Sequence, residues 1–459
     1  MKISFSRQLA YEVLTKVEQS GAFANLSLQQ ALRQTRLDVR DKALATEIIY
    51  GTVQRRRSLD ELLQPYSKRK LTALDAPVLT LLRMTAYQLA FLDKVPPYAA
   101  INDAVELCKR AHPYSAGFVN GVLRAFNREQ TEPQKRLEEI ARQASSWADS
   151  LGILYSFPTW IVELLGRAYG EARAEKILKV SNDRSHLSVR VNCMRANRED
   201  VLALLSDELR QGAEWSKVSP DGLRFTRGFD VESWDAYQTG MVTVQDEAAM
   251  LIPPLLVPDG NRVILDMCAA PGTKTTQIAE LQGDAGEITA VDLYPHKLEL
   301  LQKAVKRLKL TSIETRSQDA RDLAKEQSLY GKYDAILLDA PCTGLGVLRH
   351  RPDIRWKRQP KDIVSLQQLQ KELLTTAANL VRPGGVIVYS TCTLTKEENE
   401  EVVEEVLKNE SLGLVWDDLR PQLPVELRSQ VANHHGGLLI TPEMFNTDGF
   451  YMARLKKLR

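Results

Sequence analysis

Hydrophobic residues recur in steps of three and four along the first third of the chain, and in short unbroken runs along its last half. From Ala73 to Leu92 the apolar positions Leu74, Val78, Leu82, Ala86 and Leu89 make one helical stripe. Asp75 and Pro77 stand at its start, where an acidic group and a fixed φ suit the first turn. Lys94-Val95-Pro96-Pro97 closes it. The same period predicts helices from Ala99 to Arg110 and from Ala116 to Phe126. Strand-like alternation is absent, so residues 1–130 read as all-helical. Gln130 to Ser146 turns polar and reads as a linker. Residues 150–235 are mixed: Trp160–Tyr169, Ala172–Val180 and Arg198–Leu209 predict helices, and Leu187–Asn192 and Leu223–Arg227 predict strands. A small α/β module fits them.

From Gln245 onward five apolar runs appear: Val263–Leu265, Ile288–Val291, Ile313–Thr315, Ala335–Leu338 and Val386–Tyr389. Helical stretches such as His296–Leu308 and Ile363–Val381 separate them. Strands alternating with helices imply a parallel sheet of β-α-β units, whose ligand lies beyond the C-terminal strand ends.

The residues at those ends carry the chemistry. After the first run comes Asp266-Met267-Cys268-Ala269-Ala270-Pro271-Gly272-Thr273-Lys274. Its small residues let the backbone approach a ligand, and the next helix offers its N-terminus. The spacing is neither a P-loop nor G-x-G-x-x-G. Asp292 ends the second run, eighteen residues past Lys274. It suits the two hydroxyls of a ribose, or caps the next helix. Asp319 follows the third run and Asp339 the fourth. Four carboxylates at successive strand ends point to a nucleoside cofactor without a pyrophosphate. Cys342 follows the fourth run and Cys392 the fifth. Neighbouring strands would bring both thiols into one cleft, as nucleophiles or as small buried hydrophobes. Cys108 and Cys193 read as inert, buried residues. In the segment from Leu348 to Arg358, Arg and Lys interleave with Trp356. It reads as a loop over the cleft for phosphate contact and base stacking, rather than as an exposed salt-bridged loop.

Charge changes the picture only in its distribution. The net charge is +2, but residues 1–150 hold 22 Lys and Arg against 16 Asp and Glu. A basic front suits a polyanion. The clusters Arg55-Arg56-Arg57 and Lys68-Arg69-Lys70 are expected at the surface. The five cysteines are far apart, with no C-x-x-C, which argues against a disulfide framework and against zinc. The first residues, without a long apolar core, are not expected to be a signal peptide, and no apolar run approaches the ~20 residues of a membrane span. A cytoplasmic, metal-free protein is expected.

The strings DMCAAPGTKTTQIAE, LLDAPCTGLGVLRHRPDIRW and YSTCTLTKEENE resemble the S-adenosylmethionine-dependent RNA cytosine-C5 methyltransferases, whose mark is the paired Pro-Cys and Thr-Cys motifs. RDKALATEIIYGTVQRRRSLD and VPPYAAINDAVELCKR resemble the NusB-like RNA-binding domain. Together they resemble the bacterial 16S rRNA (cytosine-C5)-methyltransferase group, small-subunit rRNA methyltransferase B, also called Fmu or Sun. The resemblance implies an all-α NusB-like domain over 1–145, a small α/β subdomain over 146–240, and a Rossmann-like methyltransferase domain over 241–459 with a mostly parallel seven-stranded sheet. The group reads Pro-Gly-Gly-Lys where this chain has Pro271-Gly272-Thr273-Lys274.

By that resemblance the cofactor is S-adenosylmethionine. Cys268, Ala269, Ala270, Pro271, Gly272, Thr273 and Lys274 would line its methionine part, Asp292 would bind its ribose and Asp319 its adenine amine. Asp339 would stand beside cofactor and base, Cys392 would be the nucleophile, and Cys342 would assist release. The partner would be 16S rRNA, free or in an unassembled or partly assembled small subunit, and the protein a monomer. Alternatives are C5 methylation of tRNA or 23S rRNA, a methyltransferase for protein or small molecules, DNA cytosine methylation, and a non-catalytic RNA-binding assembly factor.

Overall fold

The computed structural model describes residues 3–35, 37–128, 132–226, 228–256, 262–431 and 436–458. The chain divides into two compact units, one of Met1–Asn182 with Leu348–Arg358, the other of Asp183–Val347 with Gln359–Arg459.

The first unit is helical, as its period predicts. The stripe from Ala73 to Leu92 is the helix Ala76–Phe91, with Pro77 in its first turn. Eleven of its sixteen residues are buried, so it is the unit's central helix rather than an amphipathic surface one. Two of its buried polar groups pair with other side chains: Arg83 donates two 2.7 Å bonds to Asp60, and Gln88 accepts from Arg7 at 2.7 Å. Helices Pro97–Ala111 and Ala116–Asn127 pack with it. The polar stretch expected as a linker holds the helix Pro133–Arg142, anchored by buried Leu137 and Ala141. Two apolar residues four apart suffice to dock a short helix, and its many charges hide them.

Two expectations about charge are corrected in this unit. Lys68, Arg69 and Lys70 are exposed, but Arg55, Arg56 and Arg57 are half-buried. Arg57 pairs with Asp149 and donates to the Phe157 carbonyl at 2.8 Å. Arg56 pairs with Glu18 at 3.4 Å. The segment from Leu348 to Arg358 is not an open basic loop. Arg349, Asp353 and Arg355 are buried, and only His350 and Arg351 are exposed. The Trp356 indole donates to the Val53 carbonyl at 2.7 Å, and the Ala24 amide donates to Asp353 at 3.1 Å. The Arg355 guanidinium lies 3.9 Å over the Phe157 ring and donates to the Ser156 carbonyl at 3.2 Å and Asn182 Oδ1 at 2.9 Å. Carbonyls and a ring face hold this buried guanidinium, whose Nε is left without a partner, and burial and then the charge of Arg55 push its pKa down to about 9.

The second unit holds two sheets. The small one contains β1 (Leu187–Val191), β2 (Ala213–Trp215), β3 (Gly222–Phe225) and β4 (Val242–Val244), antiparallel in the order β2-β3-β1-β4. Arg227, expected in β3, lies outside the described residues. The expected helix from Arg198 to Leu209 is two, Arg198–Ala203 and Asp207–Gln211, because Ser206 caps the second through the Leu209 amide.

The large sheet is built from β5 (Val263–Asp266), β6 (Glu287–Asp292), β7 (Ile313–Ser317), β8 (Tyr333–Asp339), β9 (Val381–Thr391), β10 (Leu414–Trp416), β11 (Gly437–Ile440) and β12 (Phe450–Lys457). The order is β10-β12-β9-β8-β5-β6-β7, with β11 also paired to β12. Five strands, β5 to β9, are parallel as their apolar runs predict. The three C-terminal strands pair antiparallel, giving eight strands among the described residues where seven were expected. Strand order reverses between β5 and β8, which opens the crevice that binds ligands in such sheets.

Candidate active site

Each candidate residue stands where its strand ends. Asp266 closes β5, Asp292 closes β6, and Asp319 lies two residues past β7. Asp339 closes β8, opposite Ser390 of β9 in the parallel register. Because β8 and β9 are neighbours, the loops after them meet. The Gly346 amide donates to the Cys392 carbonyl at 2.9 Å, and the thiols of Cys342 and Cys392 lie 3.4 Å apart. Cys342 is buried and Cys392 half-buried.

The loop after β5 runs straight into the helix Thr273–Leu281. Gly272 precedes it at φ 103°, and a Cβ there would meet Leu301 Cδ1 at 2.3 Å. The glycine is demanded at 272, while Thr273 opens the helix. A β-branch therefore fits where the family has a second glycine. The buried Arg190 of β1 donates to the Thr273 carbonyl at 2.9 Å and to Glu280 at 2.8 and 3.0 Å. Lys274 does not point along the loop. Its ammonium lies 2.6 Å from Asp339 Oδ2 and 5.1 Å from the centre of the Phe450 ring. The Ser390 hydroxyl donates to Asp339 Oδ1 at 2.7 Å. Burial would lower the Lys274 pKa, yet the charge and hydrogen bond of Asp339, followed by the charge of Cys392, raise it. Ser390 and the Lys274–Asp339 pairing escaped the sequence reading. Ser390 precedes the Thr-Cys pair, and only the β8–β9 register sets it opposite Asp339.

Asp292 accepts the Ala270 amide at 3.2 Å and the Tyr294 amide at 3.0 Å, one per oxygen. It thus ties the β5 loop to its own strand end and holds the turn that follows, but it does not cap the helix Pro295–Leu308, whose N-cap is Tyr294 with no side-chain cap bond. Asp319 caps the Arg321 amide at 2.9 Å and receives its guanidinium at 2.7 Å. The Arg321 hydrogen bonds hold its carboxyl below the usual range. Asp266 Oδ2 accepts from Thr275 at 2.7 Å, and its Oδ1 is buried without a partner. Burial pushes its pKa up to about 7. Cys268 sits among all four carboxylates: burial first, then the charges of Asp266, Asp292, Asp339 and Asp319, push its thiol well up. Of the two cysteines expected to be inert, Cys108 is buried, but Cys193 is exposed, its thiol 3.4 Å from Asp221. Among the described residues no group of three or more His, Cys, Asp or Glu could hold a metal.

A crevice whose strand ends carry four acidic residues, with Lys274 paired to Asp339 and Arg321 to Asp319, suits a ligand with hydroxyl and amine donors rather than a pyrophosphate. The unpartnered Asp266 Oδ1 is a waiting acceptor for such a donor. Fold and site together define an S-adenosylmethionine-dependent methyltransferase. The family model for 16S rRNA methyltransferase RsmB/F matches residues 253–456, the NusB family matches 4–128, and the RsmF/B-like ferredoxin-like domain matches 157–232. The probable ribosomal RNA small subunit methyltransferase B of Bacillus subtilis is 36% identical over 460 residues, covering 100% of both chains. Among solved structures, PH0851 is 26% identical with a TM-score of 0.81 and full coverage of both chains. NSun6 of Pyrococcus horikoshii with SFG is 25% identical with a TM-score of 0.57, covering 67% of this chain and 100% of that one. The chain belongs to the ribosomal RNA small subunit methyltransferase B family.

Proposed function

We propose that this chain methylates carbon 5 of one specific cytosine in 16S rRNA through a covalent cysteine–base intermediate. Residues 1–145 serve as an RNA-binding front, 146–240 as a supporting subdomain and 241–459 as the catalytic domain. The observation that carries the reading is the pair of thiols 3.4 Å apart at adjacent strand ends, beside the Lys274–Asp339 pair. An ordinary methyltransferase for amines or hydroxyls has no use for two facing thiols.

Carbon 5 of cytosine is a poor nucleophile. A thiolate adding to carbon 6 turns the ring into an enamine that is nucleophilic at carbon 5. Cys392 is the attacking group, since it is the less buried thiol. Asp339, held by Lys274 and Ser390, must carry a proton at that moment, so that its carboxyl donates to the ring nitrogen and offsets the negative charge developing there. Bound S-adenosylmethionine supplies the electrophilic methyl group, held by the residues from Cys268 to Lys274 with Asp292 at the ribose and Asp319 at the adenine. A base then takes the carbon-5 proton, the sulfur–carbon-6 bond breaks, and Cys392 leaves as thiolate. Cys342 assists that release. The cytosine must leave its stack to reach the thiols.

Transfer of labelled methyl to purified 16S rRNA tests the reading, with tRNA, 23S rRNA and assembled small subunits as competing substrates. One new 5-methylcytosine in 16S rRNA is the expected product. Label in protein, or in tRNA or 23S rRNA alone, would refute it.

A further inference from the structure

A fully buried carboxylate beside the two cysteine loops has no part in that chemistry. Glu398 lies six residues after Cys392 and is 0% exposed. Its Oε1 accepts the Thr343 amide at 2.8 Å and Gln370 Nε2 at 3.2 Å. Its Oε2 accepts the hydroxyls of Thr343 at 2.5 Å and Thr395 at 2.7 Å. The Thr343 hydroxyl also meets Thr393 Oγ1 at 2.7 Å. Gln370 reaches back to the Pro341 carbonyl at 2.9 Å, and the Tyr389 hydroxyl donates to the Glu398 carbonyl at 2.6 Å.

These contacts have one logic. Thr343 directly follows Cys342, and Thr393 directly follows Cys392. One side chain therefore binds the residue beside Cys342 directly and reaches the residue beside Cys392 through the Thr343 hydroxyl. All of its donors named here are neutral. A buried carboxylate is costly to desolvate, and well-packed apolar residues commonly serve stability as well or better. Four acceptor contacts of the carboxylate in fixed directions give what an apolar residue does not, a set distance between two loops.

We propose that Glu398 is a positioning residue for methyl transfer: it binds Thr343 and Thr395 and so holds the Pro-Cys loop against the Thr-Cys loop with the two sulfurs in reach of one base. This rests on the covalent reading of the two cysteines. Its charge acts in the same sense as its geometry. The hydrogen bond to Cys392, burial, and then the charges of Cys392 and Glu398 push the Cys342 thiol well above its ordinary range, which keeps it protonated beside the nucleophile.

The test uses the full-length protein with Glu398→Ala, Glu398→Gln and Thr395→Val. Two readouts are taken: steady-state methyl transfer to 16S rRNA, and the rate at which diamide couples Cys342 to Cys392 with neither RNA nor cofactor present. Glu398→Ala is expected to lower kcat about 100-fold, the scale of a misplaced reacting group, with KM for S-adenosylmethionine within about twofold and thiol coupling slowed about tenfold. Glutamine keeps a carbonyl for the Thr343 amide, and its NH2 can donate to the threonine oxygens once the hydroxyls reverse. It is expected to restore most of both rates. Thr395→Val, which keeps side-chain shape, should lower both rates about threefold, and it decides the matter if Glu398→Ala fails to fold. The proposal is overturned if coupling and kcat stay within about twofold of wild type in Glu398→Ala or, should that variant not fold, in Thr395→Val. It is also overturned if glutamine rescues neither rate. Wild-type protein that couples its thiols yet methylates no RNA would instead refute the functional reading.

Discussion

Lys274 shows how far a residue can be read without its neighbours. Its place in a loop of small residues assigns it to the cofactor, but its ammonium is held by Asp339, 65 positions away. The four aspartates and two cysteines were legible because strand ends can be located from apolar runs alone. Ser390 and Glu398 were not, since their roles lie in partners contributed by another strand or loop. Asp266 makes a pH prediction at this scale. Its pKa rises from 3.8 unfolded to about 7 folded, so the protonated form is favoured in the native state. That stabilisation is fully present below about pH 4 and is lost as pH rises through about 7. In the cofactor-free protein, thermal midpoints of wild type minus Asp266→Asn should therefore fall between pH 4 and 7. A flat difference would mean that Asp266 titrates normally.

At the scale of elements, helix period and strand runs placed most segments within a few residues. Errors fell where side chains break or hide the pattern. Ser206 splits one expected helix through its cap, and the charges of Pro133–Arg142 conceal its two buried anchors. The antiparallel β10 to β12 escaped although Phe450 to Leu455 are all buried. Arg454, which donates to the Leu255 carbonyl at 2.9 Å and pairs with Asp417, cuts the apolar run of β12. The loop before the helix Thr273–Leu281 makes the element prediction. Gly272→Ala would place a Cβ at φ 103° against Leu301, a combination of strain and overpacking worth about 2 kcal/mol or more. Denaturant midpoints should record that loss together with weaker S-adenosylmethionine binding. A change below about 0.5 kcal/mol would contradict the close approach.

At the scale of the whole molecule, the largest revision concerns residues 348–358. Charge alternating with Trp356 suggested an RNA-facing loop, yet the segment belongs to the helical unit. The pattern misled because arginine is amphipathic: Arg355 buries its plane on Phe157 and gives its protons to carbonyls. Trp356→Ala should therefore destabilise the helical unit by about 3 kcal/mol while leaving the salt dependence of RNA binding unchanged. Weakened RNA binding at wild-type stability would restore the loop to the substrate. The central claim, a covalent link between one thiol and the base with the other thiol releasing it, is a property of the whole enzyme acting on RNA. Denaturing gels of Cys342→Ala and Cys392→Ala incubated with S-adenosylmethionine and 16S rRNA test it most directly. A protein–RNA adduct is predicted to accumulate in Cys342→Ala, and Cys392→Ala should form none while still binding S-adenosylmethionine. An adduct in Cys392→Ala but not in Cys342→Ala would contradict the account.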